Sequence, residues 1–128
     1  MSDLYGKGAR GKATRLHAQI VRARGECLAC AMFWRPMPES SSRLECAHII
    51  SRRYASTRTS LDNAYCLCSA HHRRFTEWGK EFAAFIDATI GDAEYARLRA
   101  RAEELKKVDW DAEVARLTAI WVEIQEAA

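Results

Sequence analysis

The stretch Leu44-Glu45-Cys46-Ala47-His48-Ile49-Ile50-Ser51-Arg52, followed after a short link by Asp62-Asn63-Ala64-Tyr65-Cys66-Leu67-Cys68-Ser69-Ala70-His71-His72-Arg73-Arg74, decides how this chain is read. Residues 44–74 hold three of the four histidines, three of the five cysteines and five arginines. Core packing does not require such a density, whereas spaced Cys and His side chains are the commonest ligands of borderline metal ions. Residues 43–50 read as a short strand, and 51–60, rich in Arg, Ser and Thr, as a connecting loop or hairpin turn. Asp62-Asn63 turns the chain into a second short strand over 64–67, ahead of a helix that begins near Ser69. That helix carries His71, His72, Arg73 and Phe75 towards Trp78, where Gly79 interrupts it.

Working outward, the next informative element lies upstream. Residues 12–24 have helical spacing, with Leu16, Ile20 and Ala23 on one face and Lys12, Arg15, Arg22 and Arg24 elsewhere, and Gly25 supplies a stop. Cys27-Leu28-Ala29-Cys30 follows at once, the setting of a zinc knuckle, in which a tight turn lets two thiolates converge on one ion. The 32–38 segment after it reads as a loop, which disfavours a thioredoxin-like redox motif because that needs a βαβ context. Cys68 precedes His71 with the same spacing. Cys27, Cys30, Cys68 and His71 therefore make a Cys3His set that closes a tetrahedral zinc and leaves no open position, so the ion is structural. Cys66 is the alternative to Cys68, Cys46 reads as a small core residue, and His17 has no partner in sequence and reads as surface or core.

With zinc assigned, His48, Asn63 and His72 remain without a structural task. In this arrangement the sequence resembles the HNH nucleases, whose ββα-metal motif has a histidine at the end of the first strand, an asparagine before the second and a histidine on the helix. The resemblance covers residues 27–75, with His71 where a fourth cysteine usually stands. It implies an α+β fold: a ββα-metal core with a structural zinc, flanked by an N-terminal helix and a C-terminal helical annex. It also implies a metal-dependent DNA endonuclease, with His48 as general base, Asn63 holding the His48 ring or the intervening loop, and His72 as ligand of a catalytic divalent ion such as magnesium or manganese. The expected products are a 5′-phosphate and a 3′-hydroxyl. Many members have an Asp or His just before the base as a second metal ligand, and this chain has Ala47 there. Glu45 and Asp62 are the candidates to replace it. Phage-encoded HNH proteins and junction-processing recombination nucleases look most similar in size and in the Ser51-Arg52 pair.

The charge distribution points to the same partner. Residues 1–80 carry 14 Lys/Arg against 6 Asp/Glu and residues 81–128 carry 6 against 11, so a net +8 half is joined to a net −5 half. A basic half of this size suits a polyanion, because neutralising phosphates releases condensed counterions. Arg52, Arg53, Arg73, Arg74, Lys12 and Arg15 are the candidate DNA contacts, and Arg52 is the candidate for the scissile phosphate because a guanidinium grips phosphate bidentately.

Three segments are expected: a flexible basic arm over 1–11, the zinc-containing core with its N-terminal helix over 12–80, and the helical annex over 81–128. In the annex Phe82, Phe85, Ile86 and Ile90 form one stripe and Gly91-Asp92 a stop and new N-cap. Tyr95, Leu98, Ala102 and Leu105 form a second stripe, and Asp109 caps a third helix striped by Trp110, Val114, Leu117, Trp121 and Ile124. These stripes pack on the core or form a homodimer seam. No run is long and apolar enough for a bilayer and no secretory apolar core is visible, so a cytoplasmic protein without a membrane partner is expected. Two other classes share these features. One is a catalytically weak, zinc-stabilised DNA-binding module recruiting a larger complex, with Ala47 as its symptom. The other is an interaction module in which the acidic helices do the recruiting.

Overall fold

The computed structural model describes residues 8–34 and 43–128. Residues 1–7 of the expected arm and residues 35–42 of the expected loop lie outside that description. The protein is α+β: seven helices among the described residues surround one two-stranded antiparallel sheet.

Helix α1 spans Ala9–Arg22, starting three residues before the expected position 12 because Gly8 acts as an extended N-cap whose carbonyl already accepts the Lys12 N–H at 3.0 Å. Its buried face is Gly11, Ala13, Thr14, His17, Ile20 and Val21. The chain leaves α1 through Gly25, whose φ of 86° lies where glycine carries no Cβ penalty. Arg24 clamps this end to the sheet by donating to the carbonyls of Leu61 and Ala64, each at 2.8 Å.

A single helical turn, α2 (Leu28–Ala31), leads to β1 (Leu44–His48), which pairs with β2 (Ala64–Cys68) in the register Glu45 to Leu67, Cys46 to Cys66 and His48 to Ala64. The connection is more ordered than a loop. It contains the turn α3 (Ala55–Arg58) and a 3-10 turn over Leu61–Asn63. The Asn63 side chain explains why. Fully buried, its Oδ1 accepts the Ile50 N–H at 2.8 Å while its Nδ2 donates to the carbonyls of Ile50 and Thr57, both at 3.1 Å. One amide thus satisfies three backbone groups that the loop would otherwise leave unpaired.

Helix α4 (Ser69–Glu77) follows β2 directly, and α5 (Gly79–Thr89), α6 (Gly91–Glu103) and α7 (Trp110–Ala127) complete the annex. Gly91, at φ 78°, makes the α5 to α6 corner, and Asp92, expected as the N-cap, instead sits in the first turn of α6, two residues after the N-cap Ile90. The principal core lies between the sheet, α4, α5 and α6. It is built on Phe75, Phe85, Tyr65, Leu67 and Leu98, with ring centroids of Phe75 to Phe85 at 4.9 Å and Tyr65 to Phe85 at 5.0 Å. Phe85→Ala would cost about 3–5 kcal/mol, the usual range for emptying such a site. Leu105 departs from its expected stripe: α6 ends at Glu103, and Leu105 is 97% exposed.

The α7 stripe has a partner within the chain. Trp110, Val114, Leu117, Trp121 and Ile124 pack with Ala13, Leu16 and Ile20 of α1 around fully buried Leu117. This intramolecular seam occupies the face that was a candidate for dimer formation. Asp109 caps α7 as expected, accepting the Ala112 N–H at 3.0 Å. The annex also braces the β1 to β2 connection. Arg101 pairs with Asp62 at 2.7 Å, Ser56 donates to the Glu104 carbonyl at 2.6 Å, and Arg116 donates to the Thr59 carbonyl at 3.1 Å.

Candidate metal centre and active-site cleft

Two constellations sit on opposite sides of the start of α4. In the first, Cys27 and Cys68 are the N-cap residues of α2 and α4, and each sulfur accepts the backbone N–H three residues on, from Cys30 and His71, at 3.4 Å. The His71 Nδ1 lies 3.6, 3.4 and 3.3 Å from the sulfurs of Cys27, Cys30 and Cys68, and the Cys30 to Cys68 sulfur separation is 3.9 Å. A tetrahedral zinc with ordinary Zn–S and Zn–N bonds has S···N edges of about 3.6 Å and S···S edges of about 3.8 Å. The four donors thus already outline such a tetrahedron.

The tautomer of His71 agrees. Its Nε2 lies 2.8 Å from the Trp34 carbonyl, which only accepts, so Nε2 carries the proton and Nδ1 offers its lone pair to the sulfurs. His71 is fully buried and Phe75 packs near its ring. This Cys3His set fits a structural zinc that ties α2, the end of β2 and α4 together. Cys66 is elsewhere, packed with Val21 and Ala64 beneath α1.

The second constellation lines a cleft of about 590 Å³ between α1, β1 and α4, formed by residues that include Arg15, Arg22, Arg43, Glu45, Cys46, His48, Arg52 and His72. His48 ends β1 and its Nε2 lies 2.9 Å from the Arg58 carbonyl. By the same donor logic Nε2 carries the proton, leaving the Nδ1 lone pair as the basic atom. Burial lowers the His48 pKa below 6.5, opposed by that hydrogen bond and reinforced by the nearby Arg58 charge. The hydrogen bonds of the Asn63 amide go to loop backbone groups, not to the imidazole. The amide holds the loop whose far end presents the Arg58 carbonyl.

His72, next to His71 but about 100° further round α4, turns to the cleft with its side chain 34% exposed. Its Nδ1 donates to Glu45 Oε1 at 2.8 Å, and Glu45 Oε2 lies 3.4 Å from Arg43. Nε2 of His72 is therefore the ring atom turned away from the carboxylate, the arrangement in which a histidine is oriented for a metal ion. Ala47, where many members carry an acidic or imidazole ligand, is buried in the core and offers no donor. Asp62 does not line this cleft, being paired with Arg101.

The cations divide in the same way. Among the described residues Arg15, Arg22, Arg43 and Arg52 line the cleft against one carboxylate, that of Glu45. Of the other candidates, Arg53, Arg73 and Lys12 are exposed outside the cleft lining, and Arg74 pairs with Glu81 at 2.8 Å while stacking on Trp78. Two residues had no distinctive signal in sequence. Arg58 is buried beneath the His48 loop, donating from Nε to the Arg52 carbonyl at 2.7 Å and lying over the Trp110 ring. His17 is fully buried with its ring centroid 5.1 Å from that of His48, and burial lowers its pKa to about 4. Helical spacing places His17 on the inner face of α1, but nothing local says which strand meets it.

Comparison with curated proteins and with solved structures returns no match. Residues 27–77 match the family model described as HNH endonuclease, a stretch that begins at the first zinc-site cysteine and ends with α4. It carries the Cys3His set and, apart from the α1 wall, the cleft residues from Glu45 to His72, so this segment is similar to the HNH endonucleases.

Proposed function

We propose that the chain is a metal-dependent endonuclease that hydrolyses phosphodiester bonds in DNA, with His48 as general base and His72 as ligand of a catalytic divalent ion, magnesium or manganese. The observation that carries this reading is the convergence on one arginine-lined cleft of a histidine with a free Nδ1 lone pair and a histidine backed by a carboxylate.

In this reading His48 Nδ1 accepts a proton from water as the water oxygen attacks phosphorus and the bond to the 3′ oxygen breaks. The Arg58 carbonyl stabilises the resulting imidazolium through Nε2–H. Asn63 is a positioning residue, acting through the loop. His72 Nε2 would hold the divalent cation, which when bound would supply charge neutralisation at the phosphate and the departing oxygen. Glu45 orients His72 through Nδ1. The four cleft arginines hold the flanking backbone, with Arg52 closest in sequence to the base. Cys27, Cys30, Cys68 and His71 would hold a structural zinc that takes no part in the chemistry.

Supercoiled plasmid incubated with magnesium, manganese or EDTA tests this. Wild type should nick and linearise it only with the added ion, and His48→Ala should not. A second reading has one observation in its favour, the apolar Ala47. On that reading the chain is a catalytically weak DNA-binding module. It predicts retained zinc and DNA binding with no ion-dependent cleavage in either protein.

A further inference from the structure

We propose that His17, Cys46 and His48 form a second soft-metal site, selective for zinc-like ions, whose occupation removes the His48 lone pair and switches the cleft off. Binding does not depend on the nuclease reading, whereas the inhibitory consequence rests on His48 being its base.

The ligand atoms of these three residues lie within 4.8 Å of one another. Cys46 and His48 stand two apart on β1 and so share a face, and α1 lays His17 across that face. The His17 Nδ1 is 3.9 Å from Cys46 Sγ, a few tenths beyond the roughly 3.6 Å S···N edge of a tetrahedral zinc. Both imidazoles are held in the tautomer such a site needs. His17 Nε2 donates to the Ser60 carbonyl at 2.9 Å and His48 Nε2 to the Arg58 carbonyl at 2.9 Å, so each leaves Nδ1 as its lone-pair atom. A metal-bound histidine is ordinarily held in this way from behind by a backbone carbonyl.

Two features set this trio apart from the Cys3His site. It offers one sulfur and two nitrogens, so a fourth position stays open to water or a phosphate oxygen. It also opens to solvent on one side, because Cys46 and His48 line the cleft, while His17 is fully buried. One thiolate and two imidazoles select zinc or cobalt over magnesium, whose preferred donors are oxygen. The thiol proton leaves to solvent on binding. The cleft would then discriminate between ions: a hard cation at His72 supports turnover, and a soft one at His48 blocks it.

The test titrates cobalt(II) into the full chain already carrying one zinc, without DNA or magnesium. Wild type should bind one further ion and develop a sulfur-to-cobalt charge-transfer band of single-thiolate intensity. Cys46→Ser and His17→Gln should lose it, while retained zinc and unchanged far-UV circular dichroism report the intact fold, and Cys66→Ser should keep it. Absence of the band in wild type, or its survival in Cys46→Ser, overturns the site. In magnesium-supported plasmid cleavage, added zinc should inhibit, and Cys46→Ser should raise the half-inhibiting concentration at least tenfold. Zinc that accelerates cleavage overturns the inhibitory role. A chain that takes cobalt but cuts no DNA keeps the site and loses the nuclease reading.

Discussion

His71 and His72 are neighbours in sequence and lead opposite lives. His71 is fully buried with its Nδ1 on three sulfurs and its Nε2 on the Trp34 carbonyl, so every direction around it is filled by protein. His72 is one-third exposed, and a carboxylate holds only one of its ring nitrogens. A helix turns about 100° per residue, so one step along α4 separates a closed tetrahedron from an open cleft. In the proposed function the same type of side chain serves structure on one side and chemistry on the other. What differs is the second donor shell and the access of water.

Breaking the closed side should have the largest effect. Cys68→Ala or strong chelation should remove the proposed zinc, since the binding free energy of small structural sites is on the order of 10 kcal/mol, comparable with the stability of a whole domain. Loss of the cooperative thermal transition, followed by circular dichroism alongside metal analysis, is the expected result. Persistence of a sharp transition without zinc would show that the helical core suffices alone.

On the open side, His48→Ala should lower the cleavage rate by about 10²- to 10⁴-fold, the usual contribution of a general base, while the zinc content stays unchanged. Asn63→Ala should cost about 3 kcal/mol of stability, since it leaves three buried backbone groups without partners at roughly 1 kcal/mol each. A urea titration reads this directly, and a change below 1 kcal/mol would mean that the loop does not rely on the amide. Glu45→Gln should weaken magnesium affinity about 10- to 100-fold, with the rate at saturating ion much less affected. Loss of the maximal rate with unchanged ion dependence would instead place Glu45 in the chemistry itself.

The smallest effect expected is in pH dependence. His48 acts as a base only when neutral, and burial lowers its pKa from 6.5. Activity should thus be retained through pH 6.5 and fall as the pH drops through the lowered value. A kcat/KM profile with its acid midpoint above 6.5 would contradict the burial argument.

How much of this was legible in the sequence follows from the range of each interaction. The Cys3His donors carry their own spacing, Cys27 to Cys30 and Cys68 to His71, because neighbouring donors on one turn must converge on one point, and the His48, Asn63, His72 order was legible from its place around two strands and a helix. The helical stripes of the annex were legible for the same reason of periodicity, with Leu105 misplaced because the pattern does not announce where α6 ends. Backbone acceptors left no trace. Nothing in the letters says that the Arg58 carbonyl orients His48, that the Trp34 carbonyl orients His71, or that the Asn63 amide bonds to the loop backbone and not to the base. His17 illustrates the same limit: its partners lie 29 and 31 positions away on β1, and only the packing of α1 on that strand brings them together. The α7 stripe was legible as apolar, but its partner, α1, was not.

The most direct test compares His71→Ala with His72→Ala, measuring bound zinc and magnesium-dependent plasmid cleavage on the same preparations. The account predicts that His71→Ala loses zinc and the folded state together, whereas His72→Ala retains one zinc and the wild-type melting transition but no longer cleaves. Cleavage at the wild-type rate by folded His72→Ala, or full zinc retention by His71→Ala, would contradict it.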